Sequence, residues 1–199
     1  MHIVDGVLST PVLAVGITIT VLGTGLGLRS LSDDKLPQAA VLAACFFVAS
    51  LIHIPLGPTS VHLIFNGLIG LLLGWAAFPV VLIGLVLQAV FFGFGGLIVL
   101  GVNCLNIALP AIVIGLVVRP WLGRLPAVAL GFAAGFGAVL LTALFVALSL
   151  ALSGEGFITS AKLVVIGHLP VAVIEGVVSA FALKLLCKVR PSLAMSSYQ

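Results

Sequence analysis

Met1-His2 opens the chain, and His2 is one of only four histidines in it. A histidine beside a free α-amino group can close two chelate rings on one metal ion. The first runs from the amine to the His2 backbone nitrogen, and the second from that nitrogen to Nδ1 of the imidazole. Three nitrogens in nearly one plane suit Ni(II), Cu(II) and, less strictly, Co(II). The arrangement needs Met1 to stay on the chain, and the bulk of His2 predicts that it does. Chelation expels protons, so binding weakens as pH falls. A flat site also discriminates against Zn(II), which prefers a tetrahedron.

Other residues could complete or support such a site. His62 follows Gly57-Pro58-Thr59-Ser60, a run of turn formers. Irregular backbone of this kind crosses a membrane only where it is buried in protein or lines a cavity. A rigid turn presenting one imidazole is what a fourth planar ligand needs. His53 is an axial, supporting or entry-path candidate. Asp5 could hold the N-terminal turn or orient an imidazole, and Asn66, one helical turn past His62, could do the same. The stretch Gly101 to Asn106 reads as an outer turn offering two amides, Asn103 and Asn106. His168 and Glu175 are seven apart and share a helix face, and a carboxylate inside an apolar run is a functional candidate by default.

The elements that must carry these residues are transmembrane helices. Of the 199 residues, 62% are hydrophobic and 7% charged, against roughly 25% charged in a water-soluble domain. Mean hydropathy is +1.44. Spans need ~20 apolar residues each, and seven are expected: 11–28, 39–54, 62–78, 79–100, 106–118, 126–152 and 164–187. The third is short and could instead be re-entrant. The fold class is therefore an all-α integral membrane protein in one domain. Residues 1–10 form an extracellular segment, 11–189 the bundle and 190–199 a cytoplasmic tail. With the N-terminus outside and the C-terminus cytoplasmic, seven of the eight basic residues (Arg29, Lys35, Arg119, Arg124, Lys184, Lys188, Arg190) lie inside and only Lys162 outside, as the positive-inside rule asks. All four histidines then reach the outer leaflet.

Several functions are disfavoured. The net charge of +3 gives no reason to expect nucleic acid. No phosphate-binding loop occurs, so no ATP should bind, and neither HExxH nor a nucleophile–base pair points to an enzyme. No cleavable signal peptide is expected. Cys45, Cys104 and Cys187 read as small apolar fillers. Gly23 with Gly27, and Gly131 with Gly135, have the spacing that lets helices approach closely. They serve packing within the chain or a docking face for another membrane subunit.

The assembled motifs resemble the CbiM/NikM family, the substrate-specific membrane subunits (S components) of cobalt and nickel energy-coupling-factor (ECF) importers. The likeness rests on Met1-His2-Ile3-Val4-Asp5-Gly6, His53-Ile54-Pro55 through Val61-His62, Asn66-Gly67, Gln88, Gly95-Gly96-Leu97, Gly101-Val102-Asn103 with Asn106, and His168-Leu169-Pro170 with Glu175-Gly176. The resemblance implies a planar four-nitrogen site for Co2+ or Ni2+ as transported substrate, with ligands from Met1, His2 and His62; His53 stays open as the alternative to His62. It implies a six-helix core plus an added N-terminal helix, in the bacterial inner membrane. Partners would be a transmembrane coupling subunit (T component), two cytoplasmic ATPases and, in some systems, a small auxiliary membrane subunit supplied from elsewhere. A competing reading is a self-contained secondary metal carrier with His168 and Glu175 as proton relay.

Overall fold

The computed structural model of the chain describes residues 3–56 and 59–189. Among these are seven α-helices: α1 (Thr10–Ser30), α2 (Leu36–Ala49), α3 (Asn66–Leu73), α4 (Ala77–Phe92), α5 (Leu100–Val118), α6 (Ala127–Ala151) and α7 (Ile158–Val189). Between α2 and α3 lies a hairpin, β1 (His53–Leu56) against β2 (Thr59–His62). Five helical runs are long and apolar enough to cross a membrane: Thr10–Ser30, Asn66–Phe92, Leu100–Trp121, Ala127–Ala151 and Glu155–Val189.

Local chemistry sets the boundaries. Pro11 and Pro37 occupy the first turns of α1 and α2, where a missing N–H costs nothing. Gly93, at φ 66°, ends α4 in the left-handed conformation that glycine tolerates. Gly74, at φ 58°, interrupts the run between α3 and α4.

The bundle is mostly helical, as expected, with one short hairpin carrying the segment after α2. Two expectations are corrected. The span expected over 62–78 stays extended or irregular through Phe65 and is helical only from Asn66, for eight residues before the Gly74 break. The outer turn expected at 101–106 does not exist. Those residues form the first turns of α5, which begins at Leu100. Asn103 and Asn106 therefore stand one turn apart on a helix face.

α5 is the central helix and packs against α1, α3, α4 and α6. Its burial extends almost all round, from Gly101 to Val118, as expected of a helix surrounded by others. Phe46, Ile64, Ile69, Phe78, Ile107 and Ile112 fill the main core. Large apolar residues such as Val21, Leu22, Phe91 and Leu163 point outward, which suits a surface facing lipid.

Close helix crossings depend on missing side chains. A Cβ at Gly23 would lie 2.6 Å from the Phe78 ring, and one at Gly27 2.5 Å from Pro79. At Gly131 and Gly135 it would lie 2.5 Å from the carbonyl oxygens of Ser179 and Glu175. All four glycines offered as a docking face are thus spent joining α1 to α4 and α6 to α7 within this chain. Gly70 on α3 is the tightest contact, seated on the Ala111 backbone of α5, with Gly115 seated reciprocally on Gly70. Gly70→Ala should therefore cost about 1–3 kcal/mol of stability through overpacking. Gly25→Ala, at an exposed helical position with open space around it, should be neutral or slightly stabilising. Thermal unfolding of the two variants in detergent reads the difference; equal midpoints would show that the α3–α5 crossing is not close.

Candidate metal-binding site

The residues just after the chain start lie in the bundle wall, held by side chains. The Ile3 N–H donates to Asn103 Oδ1 at 3.1 Å, and Asn103 Nδ2 donates back to the Ile3 carbonyl at 3.0 Å. Ile3 is 6% exposed and Asn103 2%. A side-chain amide offers one donor and one acceptor side by side, so it pairs with a peptide as a neighbouring strand would. Asp5 Oδ1 accepts from the Val99 N–H at 3.0 Å. Val99 caps the start of α5, where a negative charge complements the helix dipole. Gly96 leaves room for this, since any Cβ there would collide with the Asp5 carboxylate. The Ser9 N–H donates to Ser153 Oγ at 3.2 Å, and Ser153 Oγ donates to the Ser149 carbonyl at 2.7 Å. Met1 and His2, the first two expected ligands, lie outside the described residues. In the sequence they directly precede Ile3, the residue held by Asn103.

The hairpin brings His62 inward. Its ladder pairs His53 with His62, Ile54 with Val61, Pro55 with Ser60 and Leu56 with Thr59. The two histidines, nine apart in sequence, are therefore opposite each other. His62 is 1% exposed, and its Nδ1 stands 2.9 Å from the Leu63 carbonyl. A carbonyl only accepts, so this bond puts the ring proton on Nδ1 and makes Nε2 the basic nitrogen.

Beyond His62 the chain turns through Phe65, the one non-glycine residue at positive φ (49°) among the described residues. The turn is fastened by Glu175 of α7, whose carboxylate accepts from the N–H groups of Ile64 and Phe65. Asn66 then opens α3. Its Nδ2 donates to the Ile107 carbonyl at 3.1 Å and to Thr142 Oγ1 at 2.9 Å, linking α3 to α5 and α6. The adjoining Asn106 carbonyl loses its helical donor to Pro110. Asn106 Oδ1 accepts from Ser149 Oγ at 3.2 Å.

Asn103, Asn106 and Asn66 thus belong to one polar seam on α5, α3 and α6, and Glu175 reaches the turn after His62. His168 stands apart from Glu175. It is buried on α7, and its Nδ1 faces the Val164 carbonyl at 2.5 Å. The two residues expected to form a relay are not hydrogen-bonded to each other. Thr142, Ser149 and Ser153 were not anticipated, although a spacing of seven puts Thr142 and Ser149 on one face of the otherwise apolar α6, with Ser153 in the turn just past its end. Among the described residues, no three His, Cys, Asp or Glu side chains gather as a metal cage.

Comparison with known proteins identifies the family. The cobalt uptake substrate-specific transmembrane region, CbiM, matches residues 2–193. A putative metal transport protein of Haemophilus influenzae is 40% identical over 199 residues, covering 96% of this chain and 95% of that protein. A fused nickel transport protein, NikMN, of Rhodobacter capsulatus is 41% identical over 114 residues; these make up 54% of this chain but only 33% of the fused protein. The crystal structure of a truncated transition metal transporter superposes with a TM-score of 0.81 at 25% identity, covering 95% of this chain and 99% of the other. With an apolar helical bundle and a family match running almost end to end, the chain belongs to the CbiM family, the cobalt uptake substrate-specific transmembrane region, and is a multi-pass membrane protein of metal transport.

Proposed function

We propose that the chain is the substrate-binding subunit of an ATP-driven ECF importer, capturing one Co2+ or Ni2+ ion outside the cell in a flat four-nitrogen site. The ligands are the Met1 amine, the His2 backbone nitrogen, the His2 imidazole and the His62 imidazole. The observation that carries this reading is the two-bond seat of Ile3 on Asn103. A chelate built from main-chain nitrogens needs its backbone held, and that seat holds the residue directly after His2. The buried His62, with Nε2 as its basic nitrogen, suits the fourth position.

All seven helices cross the membrane in this reading, with the N-terminus outside and the C-terminus in the cytoplasm of a bacterial cell. α3 is too short to cross alone; the buried residues Leu63 and Ile64 extend its path as irregular backbone, which a membrane bundle allows where protein surrounds it. A transmembrane coupling subunit and two ATPases supply the energy, with a small auxiliary membrane subunit where the system has one.

Two experiments on the full-length protein in detergent test this, using Ni2+ alone as probe. Inserting Leu-Leu between Met1 and His2 keeps every side chain but opens the chelate rings. Ni2+ affinity by calorimetry should fall by more than about 100-fold, beyond the 10–100-fold that loss of a supporting residue costs. His62→Ala should lose the visible d–d band of a planar centre. Wild-type binding by either variant sinks the site. Asn103→Leu removes both bonds to Ile3 but no ligand. It should weaken Ni2+ binding by about 10–100-fold while leaving the band position unchanged; unaltered affinity would mean the seat does not support the site.

A further inference from the structure

Glu175 is the one acidic side chain buried in the bundle among the described residues, at 0% exposure. Asp5, the other carboxylate near the site, is exposed and sits at the start of α5. Glu175 lies on α7 within a run long enough to cross the membrane. Its Oε1 accepts from the N–H groups of both Ile64 and Phe65, and its Oε2 lies 3.2 Å from the Phe65 nitrogen. Both oxygens act as acceptors, the pattern of an ionised carboxylate. Among the described residues no cationic side chain pairs with it; only those two main-chain N–H groups face it.

What the carboxylate holds is specific. Ile64 and Phe65 are two and three residues past His62. Phe65 adopts φ 49°, ψ 21°, a left-handed conformation that a bulky side chain disfavours. Such a turn persists only when its surroundings fix it. The fixing group comes from a helix 110 residues further along the chain. Leu63 and Ile64 are buried on the protein side, so the turn cannot relax into water.

We propose that Glu175 is a positioning residue of the metal site: it fastens the turn that presents His62, and its charge balances the charge the site gains on loading. This deepens the four-nitrogen reading and rests on it. A divalent ion, a neutral amine, two neutral imidazoles and one backbone nitrogen that has lost its proton to solvent carry one net positive charge. The Glu175 carboxylate brings the sum to zero. A neutral loaded site meets the demand of a medium in which isolated charge is costly.

The test uses the full chain in detergent with Ni2+ as probe. Glu175→Gln keeps the shape and one acceptor oxygen but removes the charge. Its Ni2+ affinity should fall by about 10–100-fold, with the d–d band unmoved because the donor atoms are the same. Glu175→Asp keeps the charge but is one methylene short, and should restore part of that loss. A purely structural role would instead lower the melting temperature while the folded protein bound Ni2+ as tightly as wild type; that result overturns the proposal. A variant that fails to fold does not close the question, because the native residue can be read directly. Glu155, exposed in the turn before α7, is the other of the chain's two glutamates. In Glu155→Gln protein made with 13C-glutamate, Glu175 is the single labelled carboxyl. Its infrared bands should be those of a carboxylate in the loaded protein and should shift when Ni2+ is added. A protonated-acid band in the loaded state refutes the charge balance. Wild type and His62→Ala run alongside separate the two ideas. If wild type binds no Ni2+, or His62→Ala binds it normally, the four-nitrogen reading fails. If both behave as expected and Glu175→Gln matches wild type, the role of Glu175 alone fails.

Discussion

The paired hydrogen bonds between Asn103 and Ile3 are the interaction on which the rest of the structure depends. A membrane bundle has no water to satisfy loose backbone, and each unsatisfied group there costs several kcal/mol. A chain end can lie among the helices only if something supplies a donor and an acceptor at strand-like spacing. Asn103 supplies both from one side chain, and Asp5 and Ser153 take up the next main-chain contacts. The second irregular stretch, after β2, is handled by the same logic with different chemistry. There a carboxylate, which only accepts, is matched to two consecutive N–H groups.

These polar contacts are short because the helices carrying them are close, and the helices are close because glycine lines their crossings. A Cβ at Gly67 would run into the Ala134 backbone of α6. Its absence lets Asn66 reach both Thr142 and the Ile107 carbonyl from one position. Gly135 does the same for α6 against the Glu175 turn of α7. Small residues and buried amides are therefore one device: the first removes the distance, and the second uses it.

Helices whose ends are marked by local chemistry were legible in the sequence. α1 and α6 begin within a residue of where Pro11 and Pro126 predict. α5 was not, because Gly101 and Asn103 read as turn formers. Their helical state is fixed by distant partners: Asp5 at its start, Thr20 Oγ1 on the Gly101 carbonyl at 2.6 Å and Ile3 on Asn103. The third span failed for the same reason, since the turn at Phe65 is held by a residue of α7. Glu175 and the three asparagines stood out as polar residues in apolar surroundings, but their partners did not. A buried amide announces that it has a partner without saying which. The glycine pairs announced close packing without saying whether the neighbour was the same chain, and it was.

The distribution of these contacts bears on how such a protein works. A carrier that moves protons through its own interior needs titratable groups handing bonds to one another. Here His168 bonds the carbonyl one turn before it, and Glu175 bonds the turn after β2; neither passes a bond to the other. Most of the buried polar contacts near the site fix the backbone next to a proposed ligand: Ile3 beside His2, Ile64 and Phe65 beyond His62. Side chains committed to holding main chain still make a good grip and a poor conduit. In the proposed reading, an ion held by such a grip leaves when the backbone that forms it is disturbed. This favours a capture subunit worked by partners over a carrier complete in itself.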